Sequence, residues 1–164
     1  MGDKLITNKR MRLIILLPAI FLIKCSSGDT GTINEKYFTE IVTNIAKGWN
    51  EGNASFASQY FDDNAVYEEP PRNQLYKGRK EIFEFFGGDP GFDIPMKMEW
   101  HNLAFNEKEQ IGFGEYTFAM NSQFHGIVIM KFENGKIVKW REYQYKSHLA
   151  WDDFAEESKF KTID

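Results

Sequence analysis

The dipeptide Asn134-Gly135 constrains the fold of this chain more than any other feature. It lies between two stretches, 124–132 and 136–145, in which apolar and polar side chains alternate. Asn-Gly favours the two-residue turn of a β-hairpin, because both central residues of that turn take positive φ. The sequence therefore predicts a hairpin here, and with it an antiparallel sheet in the C-terminal half of the chain.

The spacing of apolar residues changes along the chain. It is three or four residues over 34–50 and again over 78–86, which predicts helices, with a shorter helix between them around Phe56. Asp62 to Asn64 reads as a turn, and 65–69 as a brief strand ended by two prolines. Alternation then predicts four strands, at 96–105, 111–119, 124–132 and 136–145.

Helices followed by a meander of strands predict an α+β fold. We expect a cone-shaped, curved antiparallel sheet wrapped around the N-terminal helices, with an opening at one end. A last amphipathic segment, 148–158, is expected to form a short C-terminal helix that covers the opening or packs on the sheet edge.

The N-terminal segment is typical of an export signal. A basic stretch precedes an apolar run over 13–23, which is too short to span a bilayer, and Cys25 follows directly. The segment 22–25 is similar to a bacterial lipobox, although Lys24 replaces the usual small residue. The predicted division is a signal peptide at 1–24, a flexible tether at 25–33, a folded domain at 34–158 and a tail at 159–164. We expect a lipoprotein of the bacterial cell envelope that is lipidated on Cys25. The alternatives are an uncleaved signal anchor and an apolar leader that arose by chance.

Composition argues against nucleic-acid binding, an internal disulfide and a metal site. The net charge is −4, the pI is about 5.5, and no basic block is interleaved with aromatic residues, so nucleic acid is not expected to bind. The single cysteine excludes an internal disulfide. The three histidines, at 101, 125 and 148, lack metal-ligand spacing, so neither a metal nor another cofactor is expected.

The strand after Asn134-Gly135 predicts a pocket, because one of its faces begins apolar and ends polar. That face holds Val138, Trp140, Glu142 and Gln144. The strand 111–119 shows a similar face with Ile111, Phe113, Glu115 and Thr117. Two carboxylates in an apolar pocket cannot both ionise cheaply, so Glu142 and Glu115 would form an acid/base pair. The alternatives are that the faces are reversed and the glutamates solvated, or that Glu142 makes a structural hydrogen bond to a tyrosine or tryptophan.

Further pocket residues are expected from the neighbouring elements. Glu69, with Tyr67 on the same strand face, is a third candidate catalytic carboxylate, and a turn-capping role is its alternative. His125 should point away from the cavity, to the surface or an interface. The predicted pocket walls, for which plain core packing is the alternative, are Trp49, Tyr67, Met98, Trp100, Phe113, Val128, Met130, Trp140 and Gln144.

The opposite face of the sheet is unusually apolar for a surface. Isoleucines and tyrosines alternate there with lysine and arginine, and a face of this composition is seldom left in water. We therefore expect a homodimer formed through this face. The apolar members are Ile127, Ile129, Ile137, Tyr143 and Tyr145.

Four segments in order, 49–53, 61–70, 76–82 and 140–143, resemble the SnoaL-like branch of the nuclear transport factor 2 superfamily. The resemblance covers about 34–155 and implies the conical fold and sheet-to-sheet dimers. It does not fix the chemistry, because the superfamily holds isomerases, cyclases, epoxide hydrolases, dehydratases and many proteins that are not enzymes.

Two members of the superfamily suggest roles for the carboxylates. The ketosteroid isomerase pattern matches its general base to Glu69, but apolar Ile45 and Val128 stand where that pattern needs hydrogen-bond donors, so steroid isomerisation is not expected. The limonene epoxide hydrolase pattern matches its water-activating aspartate to Glu142 and its second aspartate to Glu115. Phe113 replaces the arginine that bridges them.

The expected function is therefore the binding of a small, largely apolar molecule in a conical pocket by an exported domain held to the membrane only through a lipid anchor. Acid/base chemistry of the isomerase, cyclase or hydrolase type would use Glu142, Glu115 and Glu69. The alternative is a non-catalytic lipoprotein that binds a ligand or another protein. An enzyme should place at least two titratable groups within hydrogen-bond reach of one substrate atom.

Overall fold

The computed structural model describes residues 31–92 and 96–156, so the predicted signal peptide, Cys25 and the predicted tail lie outside the described residues. The helices are α1 (Glu35–Asn50), α2 (Ala54–Ser58), α3 (Gly78–Phe85) and α4 (Trp151–Ala155), with a 3-10 turn at Pro70–Arg72. The strands are β1 (Phe61–Glu69), β2 (Gln74–Lys77), β3 (Lys97–Asn106), β4 (Ile111–Ala119), β5 (Gln123–Glu133) and β6 (Lys136–Lys146). Within this part of the chain, no helix is long and apolar enough to cross a membrane.

All six strands join one curved sheet in the order β2-β1-β6-β5-β4-β3. The strands β3 to β6 form the predicted antiparallel meander. Its central hairpin turns at Asn134 and Gly135 with φ of 50° and 74°, which confirms the reading of that dipeptide.

The sheet is mixed rather than purely antiparallel, because β1 pairs in parallel with β6. The chain between these two strands passes through α3 and the meander, so it is long enough to return β6 in the same direction as β1. The predicted turn at Asp62 to Asn64 is wrong, since β1 already begins at Phe61. The short β2, which the sequence reading did not separate, pairs with the end of β1.

Helix α1 fills the concave side of the sheet. Its first turn is capped by the Asn34 side chain, which accepts a hydrogen bond from the Tyr37 amide at 2.9 Å. Its buried face is the predicted apolar one, and each fully buried side chain contributes roughly 1.5–3 kcal/mol. The members are Phe38, Ile41, Val42, Ile45 and Trp49.

The inner face of β4 consists of glycines followed by aromatic residues. Gly112 lies under the Phe38 ring, and Gly114 lies under the Trp100 ring, so a Cβ atom at either position would clash with the ring above it. The large rings come from α1 and β3, and the glycines make room for them. Consequently Phe113 and Glu115 face outward, and the prediction that they face the pocket is wrong.

A β-bulge in β6 changes which face its first residues occupy. Lys131 pairs with Lys139, whereas the next residue of β5, Phe132, pairs with Ile137, so Val138 is the extra residue. Ile137 is therefore buried on the inner side, and its predicted place on the outer face is wrong. Beyond the bulge, Trp140 and Glu142 occupy the inner face as predicted.

Helix α4 packs on the outer face of the sheet, not over the opening or along the edge. Trp151 stacks on the His101 ring at 4.1 Å between centroids, and Phe154 lies 4.4 Å from the His125 ring. His125 faces away from the cavity as predicted, but it is buried because α4 covers it.

Candidate active site

A cavity of about 240 Å³ opens between the inner face of the sheet and helices α1 and α3. At about 30 Å³ per water molecule, it has room for roughly eight waters or one small organic molecule. Most of its wall is aromatic or thioether: Trp49, Tyr67, Phe85, Phe86, Phe92, Met96, Tyr116, Phe118 and Met120. Its polar residues are Glu69, Arg72, Glu142 and Gln144.

Glu142 is held in place by its two neighbours on the same face of β6. The Trp140 Nε1–H donates a hydrogen bond to Glu142 Oε2 at 2.9 Å, and the Gln144 Nε2–H donates to Oε1 at 3.2 Å. The Glu142 side chain is only 4% exposed. The strand period thus places the carboxyl group between the buried indole of Trp140 and the partly buried amide of Gln144.

Glu69 is the second carboxylate of the cavity and is 2% exposed. It is the last residue of β1, and the 3-10 turn that follows returns Arg72 to within 3.4 Å of Glu69 Oε2. The Gln144 Nε2–H donates to the same oxygen at 2.9 Å. Gln144 therefore bridges Glu69 and Glu142, and the two acceptor oxygens fix the orientation of its amide.

Burial dominates the electrostatics of the carboxyl pair. Burial first, and the nearby Glu69 second, raise the pKa of Glu142 to about 8. Glu142 therefore carries its proton at neutral pH, while Arg72 is the cation closest to Glu69. The cavity therefore holds a carboxylic acid that can donate a proton, beside a second carboxyl group that Arg72 and Gln144 contact.

Two tyrosines complete the polar end of the cavity. Burial raises the pKa of Tyr67 and Tyr116, and the charge of Glu142 contributes to both shifts. Both hydroxyl groups therefore keep their protons and remain hydrogen-bond donors at any physiological pH.

Several polar atoms of cavity-lining residues are buried without a partner. Among the described residues these are Trp49 Nε1, the Tyr116 hydroxyl and Gln144 Oε1. Buried polar atoms are hydrogen-bonded in the great majority of cases, so such exceptions concentrated in one cavity point to a ligand with polar groups.

The structure brings together five of the predicted site residues: Trp49, Tyr67, Glu69, Glu142 and Gln144. Others predicted as walls are packed in the core around the cavity, namely Met98, Trp100, Val128, Met130 and Trp140. Phe113 is 39% exposed on the outer face. Glu115 is also on that face, where Asn102 Nδ2 donates to its Oε2 at 2.7 Å. The second carboxyl group in the cavity is therefore Glu69 and not Glu115. The polar side chain that β4 contributes to the cavity is that of Tyr116.

Sequence reasoning missed Arg72, Tyr116 and most of the aromatic lining. A signal for Tyr116 exists in the alternation of Gly112, Gly114 and Tyr116, because a row of glycines indicates the strand face that receives large rings. Arg72 lies three residues after Glu69 across two prolines, a spacing that a tight turn brings together. Over the described ranges 31–92 and 96–156, no group of three His, Cys, Asp or Glu side chains is placed to hold a metal ion.

The sequence was compared with models of known protein families. The sequence profile of the SnoaL-like domain matches residues 42–140. The chain belongs to the SnoaL-like domain family. No curated protein matches the sequence of this SnoaL-like domain.

Solved structures share its fold at low sequence identity. An NTF-2 like protein of unknown function from Burkholderia xenovorans LB400 is 20% identical with a TM-score of 0.61, covering 79% of this chain and 98% of that one. A putative ketosteroid isomerase from Kribbella flavida DSM 17836 is 9% identical, with a TM-score of 0.59 and coverage of 79% and 91%. A LEH-like epoxide hydrolase from M. tuberculosis is 13% identical, with a TM-score of 0.54 and coverage of 67% and 84%. The likeness establishes the NTF2-like fold.

Proposed function

We propose that this SnoaL-like domain binds a small, largely apolar molecule in its conical cavity and transfers protons on it with Glu142 and Glu69. The observation that carries the proposal is the buried pair of carboxyl groups at the polar end of an otherwise apolar cavity. Structures that share the fold include proteins described as a putative ketosteroid isomerase and an epoxide hydrolase, and both names denote acid/base chemistry.

The aromatic walls supply the binding free energy. A ligand that replaces water against Trp49, Phe86 and Phe118 gains roughly 25 cal/mol for each Å² of apolar surface removed from water. The exposed side chains of Phe92 and Met120 also line the cavity, so they lie where it opens to solvent. The entrance is therefore suited to apolar molecules.

The carboxyl pair supplies the chemistry. Protonated Glu142 donates its proton to a ligand oxygen as negative charge develops there, such as the oxygen of an epoxide or an enolising carbonyl. Glu69 removes a proton from a carbon or from an attacking water. Gln144 holds the two groups at a fixed separation, and Trp140 holds the second oxygen of Glu142, so little reorganisation is needed during the reaction.

The test compares glutamine variants on a panel of small cyclic epoxides and β,γ-unsaturated ketones. Glu142→Gln and Glu69→Gln should each lower kcat/KM by at least about 100-fold on any substrate that the wild type converts. Glu115→Gln is the matched control on the outer face and should leave the rate unchanged. Activity of the wild type should fall as pH rises above about 8, where Glu142 loses its proton. Equal rates in all four proteins would contradict the proposal.

A binding protein without catalysis is the second candidate. It is favoured by the hydrogen bonds that already engage both carboxyl groups, because such a network can serve only to fix the shape of the site. Native mass spectrometry of protein purified without added ligand separates the two candidates. A molecule retained by the wild type and by Glu142→Gln alike, together with no turnover on the panel, would favour binding alone.

We also propose that the domain is exported and anchored through Cys25, which lies outside the described residues. The support is the basic stretch and the apolar run before Cys25. Expressed in a Gram-negative host, the full chain should incorporate labelled palmitate, and Cys25→Ser should abolish the label. A wild-type chain that stays unlabelled and keeps its first residues would contradict this proposal, with Lys24 as the physical reason.

A further inference from the structure

The Tyr116 hydroxyl lies in a position that packing alone does not explain. Tyr116 is 2% exposed, lines the cavity, and its hydroxyl has no hydrogen-bond partner among the described residues. The hydroxyl rests against Gly126 of β5, where a Cβ atom would lie 2.7 Å from the phenolic oxygen. A glycine at this position thus leaves space for a buried hydroxyl group. Burial raises the pKa of this hydroxyl, and the Glu142 carboxyl group is close enough to raise that pKa as well, yet it does not meet the hydroxyl with the geometry of a hydrogen bond.

The side-chain carbonyl of Gln144 faces the same cavity from β6, two strands away from Tyr116. Tyr116 pairs with Gly126, and Gly126 pairs with Gln144, so the two side chains face the cavity from either side of the glycine. Gln144 Nε2 is directed to Glu69 and Glu142, which leaves Oε1 on the other side of the amide. Gln144 Oε1 is also buried without a partner.

We propose that Tyr116 and Gln144 form a subsite, floored by Gly126, that binds a hydroxyl group of the ligand. The inference rests on the proposed function, since it assigns part of the same cavity to one chemical group. Tyr116 would donate a hydrogen bond to the ligand oxygen, and Gln144 Oε1 would accept one from the same O–H. A ketone oxygen satisfies only Tyr116, and a hydrocarbon satisfies neither atom. The ligand is therefore a small apolar alcohol, held with its hydroxyl group beside the carboxyl pair.

Benzyl alcohol and ethylbenzene are matched probes for this subsite. They have the same shape and differ by a hydroxyl group in place of a methyl group, and both are small enough for a cavity of about 240 Å³. NMR titration of the full chain gives a Kd for each probe. Tyr116→Phe should weaken benzyl alcohol binding about tenfold, the usual effect of losing one hydrogen bond, and leave ethylbenzene binding unchanged.

Two further variants guard the interpretation. Gly126→Ala would place a Cβ 2.7 Å from the phenolic oxygen and also 2.7 Å from the backbone carbonyl of Tyr143, so its melting temperature should fall. At a temperature where it is folded, it should show the same selective loss, because the Cβ displaces the hydroxyl. Tyr145→Phe removes a hydroxyl from a side chain that is 68% exposed and should change neither Kd. Without a probe, Tyr116→Phe should melt no lower than the wild type, because it removes a buried hydroxyl that lacks a partner.

The outcomes separate the subsite from the proposed function. A selective loss of benzyl alcohol binding in both cavity variants supports the subsite. Equal weakening of both probes, or a lowered melting temperature in Tyr116→Phe, would overturn it and leave the apolar cavity intact. If the wild type binds neither probe, the proposed small-molecule cavity fails, and the subsite fails with it.

Discussion

Glu142 is the residue whose protonation this fold controls most strongly. Burial and the neighbouring Glu69 raise its pKa to about 8, compared with 4.5 for a free glutamate. Between those two values the folded chain holds a proton on Glu142 that the unfolded chain has lost. The free energy of unfolding should therefore fall as pH rises from about 4.5 to about 8.

Glu142→Gln should remove this pH dependence. Glutamine has nearly the shape of the protonated acid and can accept the hydrogen bond from Trp140, but it has no proton to lose. Its stability should match the wild type near pH 5 and exceed it by roughly 2–4 kcal/mol at pH 8. Thermal melts from pH 4 to 8 measure the difference, with Glu115→Gln as the control. A glutamine variant destabilised most near neutrality would indicate an ion-paired Glu142 instead.

The cavity residues of β6, Glu142 and Gln144, could be predicted from the sequence, whereas those of β4 could not. Along β6 the change from Trp140 to Glu142 and Gln144 marks one face as the pocket face. Along β4 the side-chain volumes mislead, because Phe113 is the large apolar residue and the inward positions are glycines. Which face of β4 points inward depends on aromatic rings of α1 and β3 that pack against its glycines. The sequence of β4 alone gives no information about those rings.

At the scale of elements, the glycines of β4 are predicted to be essential for packing. Gly112→Ala should cost about 1–3 kcal/mol, because its methyl group would overlap the Phe38 ring and the core would have to shift. Gly31→Ala is the matched control, since its Cβ would meet only Asn134 Oδ1 at an ordinary 3.5 Å. Urea unfolding measures both. A Gly112→Ala variant as stable as the control would show that the ring does not pack against this strand.

The meander and its hairpin were predictable because the local signals, alternation and Asn-Gly, agree with the final fold. The bulge at Val138 and the parallel pairing of β1 with β6 depend on contacts between distant strands. The place of α4 depends on the rings of His101 and His125 on the outer face, which no local pattern reveals.

At the scale of the whole molecule, the outer face of the sheet remains apolar beyond α4. Phe113, Ile127 and Tyr143 lie there with 39%, 41% and 40% of their surface exposed. We propose that a second copy of the chain covers this face. Residues 32–164 should sediment as a dimer at micromolar concentration, and Tyr143→Asp should make the protein monomeric, because it would bury a charge without a partner.

Tyr37→Asp provides the control for the dimer. Tyr37 is also exposed, at 44%, but it lies on α1, on the concave side of the sheet and away from its outer face. This variant should remain dimeric. A monomeric wild type, or equal effects of the two substitutions, would remove the argument for an interface on the outer face.

Direct titration of the Glu142 carboxyl carbon tests most directly whether this side chain keeps its proton at neutral pH. The protein is labelled with carbon-13 at the glutamate carboxyl carbons, and their NMR signals are followed from pH 4 to 9. The signal of Glu142 is the one that is missing in Glu142→Gln. The structure predicts a midpoint near 8 for that signal. A midpoint near the ordinary value of 4.5, with Glu142 fully ionised at pH 7, would contradict the acid/base pair on which the proposed function rests.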